Sequence, residues 1–109
     1  MTPVVWTKSA RHDLEDILTY VAARSPQGAA TIARRVEEAI LDIATFPRAA
    51  RRDPETGTFE WVVGGVPLLL IYELISSESG DDGQADIIAV FNTDRNPAGK
   101  PGRRDSPSS

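Results

Sequence analysis

The chain has 109 residues, no cysteine, one histidine and a formal net charge of −4, with 40% apolar and 26% charged residues. That is one domain with a single modest core, and it excludes disulfides and thiolate metal sites. The longest apolar run, Val66 to Ile75, is broken by Glu73 and falls well short of the ~20 residues that span a bilayer.

The N-terminus shows no basic segment followed by an apolar stretch, so no secretory signal is expected and a cytoplasmic location fits. The charge is unevenly spread. Residues 1–94 hold eight Lys/Arg against fifteen Asp/Glu, a net −7, and residues 95–109 are net +3. Phosphate contacts need clustered cations, so the acidic body is a poor binder of nucleic acid and no sequence-specific contact is expected. Residues 1–97 are expected to form the domain. Residues 98–109, rich in Pro, Gly and Ser with Lys100, Arg103 and Arg104, are expected to be a disordered basic tail. Such a tail is either a solubilising end or an arm for an acidic partner.

Pro3-Val4-Val5-Trp6 reads as a short strand. Thr7 can then cap a helix by accepting from a free backbone N–H of the first turn. Ala10, Leu14, Ile17, Leu18 and Val21 follow helical spacing and so line one face. Ser25-Pro26 starts a second helix, with Ser as cap and Pro at the first helical position. Ile32, Val36, Ala39, Ile40 and Ile43 form its apolar stripe, and Pro47 ends it. The short connection predicts an antiparallel helical hairpin.

Arg48 to Gly57 reads as a loop carrying Arg48, Arg51 and Arg52, with a turn at Asp53-Pro54. Strands are expected at Thr58–Val63, Val66–Ile75 and Ala85–Asn92. Gly64-Gly65 supplies the positive φ that a tight hairpin needs. Phe59, Trp61 and Val63 share one face of the first of these strands. Val66–Ile75 is apolar on both faces, as a central strand should be. Simple alternation in the last strand places Ile87, Ala89 and Phe91 on one side and Ile88 and Val90 on the other. The expected fold is α+β, ordered β-α-α-β-β-β, with a helical hairpin packed on a small antiparallel sheet and the opposite face partly open.

This order resembles the RelE/ParE superfamily over about Val4 to Pro97. The residues that carry the resemblance are Trp6-Thr7 with Ala10 and Leu14, Tyr20, and Phe46-Pro47 with the arginine-bearing loop. To these add Thr58-x-Glu60 leading into Val62-Val63-Gly64-Gly65-Val66-Pro67, then Ile71-Tyr72 and Val90-Phe91. The likeness is closest to ParE-like toxins of type II toxin–antitoxin systems. It implies a toxin, sometimes encoded as a plasmid-stabilization module, that binds DNA gyrase and is neutralised by a cognate antitoxin. RelE-like members instead cleave messenger RNA on the ribosome. A degenerate toxin that only binds antitoxin is a third reading.

RNA cleavage requires a group to activate the ribose 2′-hydroxyl, cations for the phosphate and a donor to the leaving oxygen. Relatives often carry Arg at the positions of Phe59 and Glu73, and His at that of Asn92. Here the nuclease candidates reduce to Tyr72, Asn92 and Arg95. Tyr72 alone, with an ordinary pKa near 10, is a poor base, and neutral Asn exchanges no proton. The chain is therefore expected to act by protein binding without a catalytic centre, cofactor or metal. Arg48, Arg51, Arg52, Phe59 and Trp61 are the candidate antitoxin- or target-binding residues.

Overall fold

The computed structural model of the chain describes residues 1–94. Arg95 and the expected basic tail lie outside the described residues. The described part runs β1 (Val4–Trp6), α1 (Lys8–Ala22), α2 (Pro26–Thr45), β2 (Arg51–Arg52), β3 (Phe59–Val62), β4 (Leu68–Ser76) and β5 (Asp82–Asn92). The strands form one sheet in the order β1-β5-β4-β3-β2.

Both helix starts follow the local chemistry read from the sequence. Thr7 caps α1, its side-chain oxygen accepting from the Ala10 N–H at 3.2 Å. The same hydroxyl donates to the Ile87 carbonyl at 2.7 Å, so one residue starts the helix and ties it to β5. Ser25 caps α2 by accepting from the Gly28 N–H at 2.9 Å, with Pro26 in the first turn. Such caps are each worth about 1 kcal/mol. Phe46 closes α2 through its N–H to the Asp42 carbonyl at 2.8 Å, and Pro47 prevents continuation.

The helices pack on one sheet face around Ala10, Ile17, Ile32, Val36, Ala39 and Ile43, against Phe59, Val63, Leu68, Leu70, Tyr72, Ala85, Ile87 and Val90. The opposite face carries a smaller cluster of Leu69, Ile71, Ala89 and Phe91, with Ile88 packed against it. β4 contributes to both clusters, which explains its unbroken apolar run. Strands β3, β4 and β5 are antiparallel neighbours, as the apolar patterns predict. Gly65, at φ +79, makes the β3–β4 turn. A side chain there would crowd Arg35, whose Nε lies 3.2 Å from the position of a Cβ.

Three details differ from the sequence expectation. The sheet is mixed, because β1 pairs parallel to β5 with Val4 opposite Ala85 and Trp6 opposite Ile87. The arginine segment is only partly a loop: Arg51 and Arg52 pair antiparallel with Glu60 and Phe59. The third difference lies in β5. The ladder with β4 slips between Ile71 and Tyr72, pairing Ile71 with Ala89 but Tyr72 with Ile87. Ile88 is the extra residue of this bulge, and a bulge resets the in–out alternation. Ile87 and Val90 therefore both face the helices, while Ala89 and Phe91 face the other way.

Candidate functional site

The helical hairpin leaves a groove beside β1. Trp6, Leu14, Val36, Ile40 and Leu41 line an apolar trough of about 600 Å³, with Arg11 on one lip and Glu37 on the other. The origin of the trough is the width of the α2 apolar stripe. Ile32, Val36, Ala39 and Ile43 turn into the core. Ile40 and Leu41 fall on the flank, one turn beyond Val36 and Glu37. Leu41 is 60% exposed and nearby Phe46 is 62% exposed. An apolar surface of this kind, rimmed by charge, marks an interaction site more often than a solvated face. The sequence signal was visible: Leu41 stands next to Ile40 but outside the stripe of core positions.

Tyr72 sits in the core with no exposed surface. Its hydroxyl donates to the Pro47 carbonyl at 2.6 Å, and its ring stacks on Phe59 with centroids 5.4 Å apart and planes 15° apart. Burial pushes its pKa up to about 12. The hydroxyl is thus already committed and holds its proton more firmly than in water. Asn92, half-buried at the end of β5, accepts from the Asp94 N–H at 3.0 Å through its side-chain oxygen. It lies opposite Leu68, four residues from Tyr72 along β4, or ~13 Å at the usual rise per residue. The two described nuclease candidates are therefore not brought together, and the third, Arg95, lies outside the described residues.

The candidate binding residues also separate. Phe59 is 4% exposed, so it is a core residue with almost no surface for a partner. Its position opposite Tyr72 in the β3–β4 ladder buries it. Trp61 is half-buried and lines a small cleft of about 200 Å³ with Arg35, Glu38, Asp42 and Gly64. Arg48 is held by this chain's own Asp82 through two bonds, Nε to Oδ2 at 2.9 Å and Nη2 to Oδ1 at 2.8 Å. Hydrogen bonding to Asp82, and then its charge, raise the guanidinium pKa above its ordinary value. This fork, beside the Tyr72–Pro47 bond, straps the α2–β2 connection to the sheet. Arg51 and Arg52 are exposed on the edge strand β2. Arg51 lies directly opposite Glu60.

His12 is exposed on α1, 3.5 Å from Asp16. Among the described residues no group of three His, Cys, Asp or Glu side chains could hold a metal ion. No helix there is long and apolar enough to cross a membrane.

The arrangement is a two-helix layer on a mixed sheet with an apolar groove, and solved toxin–antitoxin complexes share this fold. The chromosomal ParDE toxin–antitoxin system of P. aeruginosa aligns at a TM-score of 0.69 and 16% identity, covering 84% of this chain and 96% of that one. The toxin–antitoxin complex RelBE2 of Mycobacterium tuberculosis aligns at a TM-score of 0.51 and 22% identity, with the same coverage of 84% and 96%. No curated protein sequence matches the chain. Residues 4–97 match the family described as ParE toxin of type II toxin-antitoxin system, parDE. The chain belongs to the ParE toxin family of type II toxin–antitoxin systems.

Proposed function

We propose that the chain is a toxin that acts by binding DNA gyrase and is silenced by a cognate antitoxin seated in the groove between α1 and α2. The reading rests first on the state of Tyr72. With its hydroxyl bound to the Pro47 carbonyl and its pKa pushed up to about 12, it is a poor proton acceptor near neutral pH. Asn92 cannot titrate, so the described part of the sheet offers no acid–base pair for cutting RNA. Membership of the ParE family points the same way. The groove supplies the antitoxin site: an amphipathic helix can place apolar side chains against Leu14, Ile40 and Leu41, an acidic group near Arg11 and a basic group near Glu37.

The experiment is induction in a bacterial host with and without the antitoxin, alongside supercoiling by purified gyrase. The expected result is growth arrest with DNA-damage signalling, loss of supercoiling, intact messages, and reversal by antitoxin. Cleavage of ribosome-bound messenger RNA by the purified protein would overturn the reading in favour of a RelE-like nuclease. Antitoxin binding without either activity would identify a toxin fold that has lost its target.

A further inference from the structure

The two flanks of α2 differ in chemistry. One turns toward α1 and β1 and bounds the apolar groove. The other turns toward β3. There Arg35, Glu38, Ala39 and Asp42 face Trp61 and Gly64 across a cleft of about 200 Å³. Arg35, Glu38 and Asp42 follow one another at three- and four-residue spacing, so one stripe of the helix presents all three. The cleft is smaller than the roughly 300–1,000 Å³ of a pocket for a drug-sized ligand. It has room for a single head group.

The charges in this cleft do not balance. Glu38 and Asp42 each bring a negative charge and Arg35 a single positive one, so one carboxylate is uncompensated. Arg35 is already engaged. Its Nη1 donates to Glu38 Oε1 at 3.4 Å, and its Nε lies 3.2 Å from where a Cβ on Gly65 would stand. The exposed Asp42 carboxylate makes no hydrogen bond or ion pair with another described residue. The Trp61 indole N–H likewise donates to none of them. Among the described residues no buried side-chain N or O lacks a partner, so both groups are open to solvent. Trp61 is half-buried opposite the fully buried Leu70 in the β3–β4 ladder, which fixes the backbone that carries the ring.

We infer that the α2–β3 cleft receives one guanidinium group, the head of an arginine side chain of the toxin's target. The identity of that partner rests on the toxin reading above; the cleft itself does not. Asp42 is the acceptor and Trp61 the aromatic wall. An indole is the best aromatic partner for a cation. A carboxylate matches the planar donor fork of arginine, which an ammonium group does not offer. A nucleic acid is the wrong ligand, because its phosphates would meet Glu38 and Asp42. The target supplies the arginine because an enzyme that holds DNA carries cations on its working surface. The antitoxin proposed above lies on the other flank of α2 and leaves this one free.

The first test uses the full chain and N-acetyl-argininamide as the probe. It is read on the Trp61 indole N–H resonance, assigned with Trp6→Phe. That resonance should shift saturably. N-acetyl-norleucinamide, apolar and uncharged, should leave it in place, and N-acetyl-lysinamide should bind several-fold more weakly. Asp42→Asn removes the charge and keeps the shape. It should weaken the probe about tenfold, with the melting temperature nearly unchanged. No saturable shift, an equal shift with the norleucine probe, or unaltered affinity in Asp42→Asn overturns the site. Equal affinity for the lysine probe overturns the guanidinium assignment. The second test measures supercoiling by purified gyrase. Asp42→Asn should need about tenfold more toxin for half-inhibition, with antitoxin affinity unchanged. Full inhibition by Asp42→Asn overturns the target as the source of the arginine, and a matching loss of antitoxin affinity assigns it to the antitoxin instead. A native chain that binds the probe but leaves gyrase active overturns the proposed function and upholds the cleft.

Discussion

The Asp13 side chain, on α1, accepts a hydrogen bond from the backbone N–H of Val90, on β5, at 3.0 Å. β1 covers β5 only as far as Ile87, so beyond that point the edge of β5 needs another partner. The helix supplies it. Removing the acceptor leaves a part-buried N–H unsatisfied, which costs about 1–3 kcal/mol. Asp13→Ala should destabilise the chain by that amount in urea titration. Asp13→Asn should lose less, because its amide oxygen can still accept.

Gly64 and Gly65 are adjacent but not equivalent. Gly65 has φ +79 and would place a Cβ 3.2 Å from the Arg35 Nε, while a Cβ on Gly64 meets nothing within 4 Å. The left-handed backbone costs an L-residue roughly 1–2 kcal/mol. Gly65→Ala should therefore lower stability by at least that much, and Gly64→Ala should be close to neutral. Paired thermal melts decide it.

Tyr72 gives a pH signature. Its folded pKa, pushed up by burial to about 12, lies above the ordinary value near 10. The raised value favours the protonated folded state, so this stability is fully present below about pH 10. It is lost as pH rises from there through about 12. The unfolding midpoint of the native chain should fall more steeply across that window than that of Tyr72→Phe, measured in the same buffers.

Leu41 is the exposed apolar wall of the groove. Leu41→Asp should leave stability within about 0.5 kcal/mol, as for most surface changes. It should weaken antitoxin binding about tenfold or more by placing a charge in a desolvated contact. Calorimetric titration with the antitoxin checks both halves when paired with a melt.

Arg51 and Arg52 remain exposed, whereas Arg48 is taken up by Asp82. Reversing Arg51 and Arg52 to Glu should slow association with an acidic antitoxin and flatten its salt dependence, since edge charges act mainly on encounter rate. Unchanged association kinetics across a salt series would make them a solvated edge that only guards β2.

Apart from the short strand β2, the element order, both N-caps, the Pro47 stop and the Gly64-Gly65 hairpin were determined by sequence alone, because each depends on a few neighbouring residues. The family likeness was legible for the same reason: it rests on short segments in a set order. Tertiary structure decided the rest. The parallel pairing of β1 with β5 joins residues about eighty positions apart, and no local pattern encodes it. The bulge at Ile88 reversed the facing of Val90 against simple alternation, because β5 must match both β4 and the helices. Phe59 was a candidate binding residue and Tyr72 a nuclease candidate, yet direct opposition in the ladder stacks and buries them both. Arg48 looked like a free cation until the fold brought Asp82, thirty-four residues away, within hydrogen-bond reach. Local geometry is set by short-range sterics and hydrogen bonding; which polar groups stay available for a partner is settled only when distant segments satisfy one another.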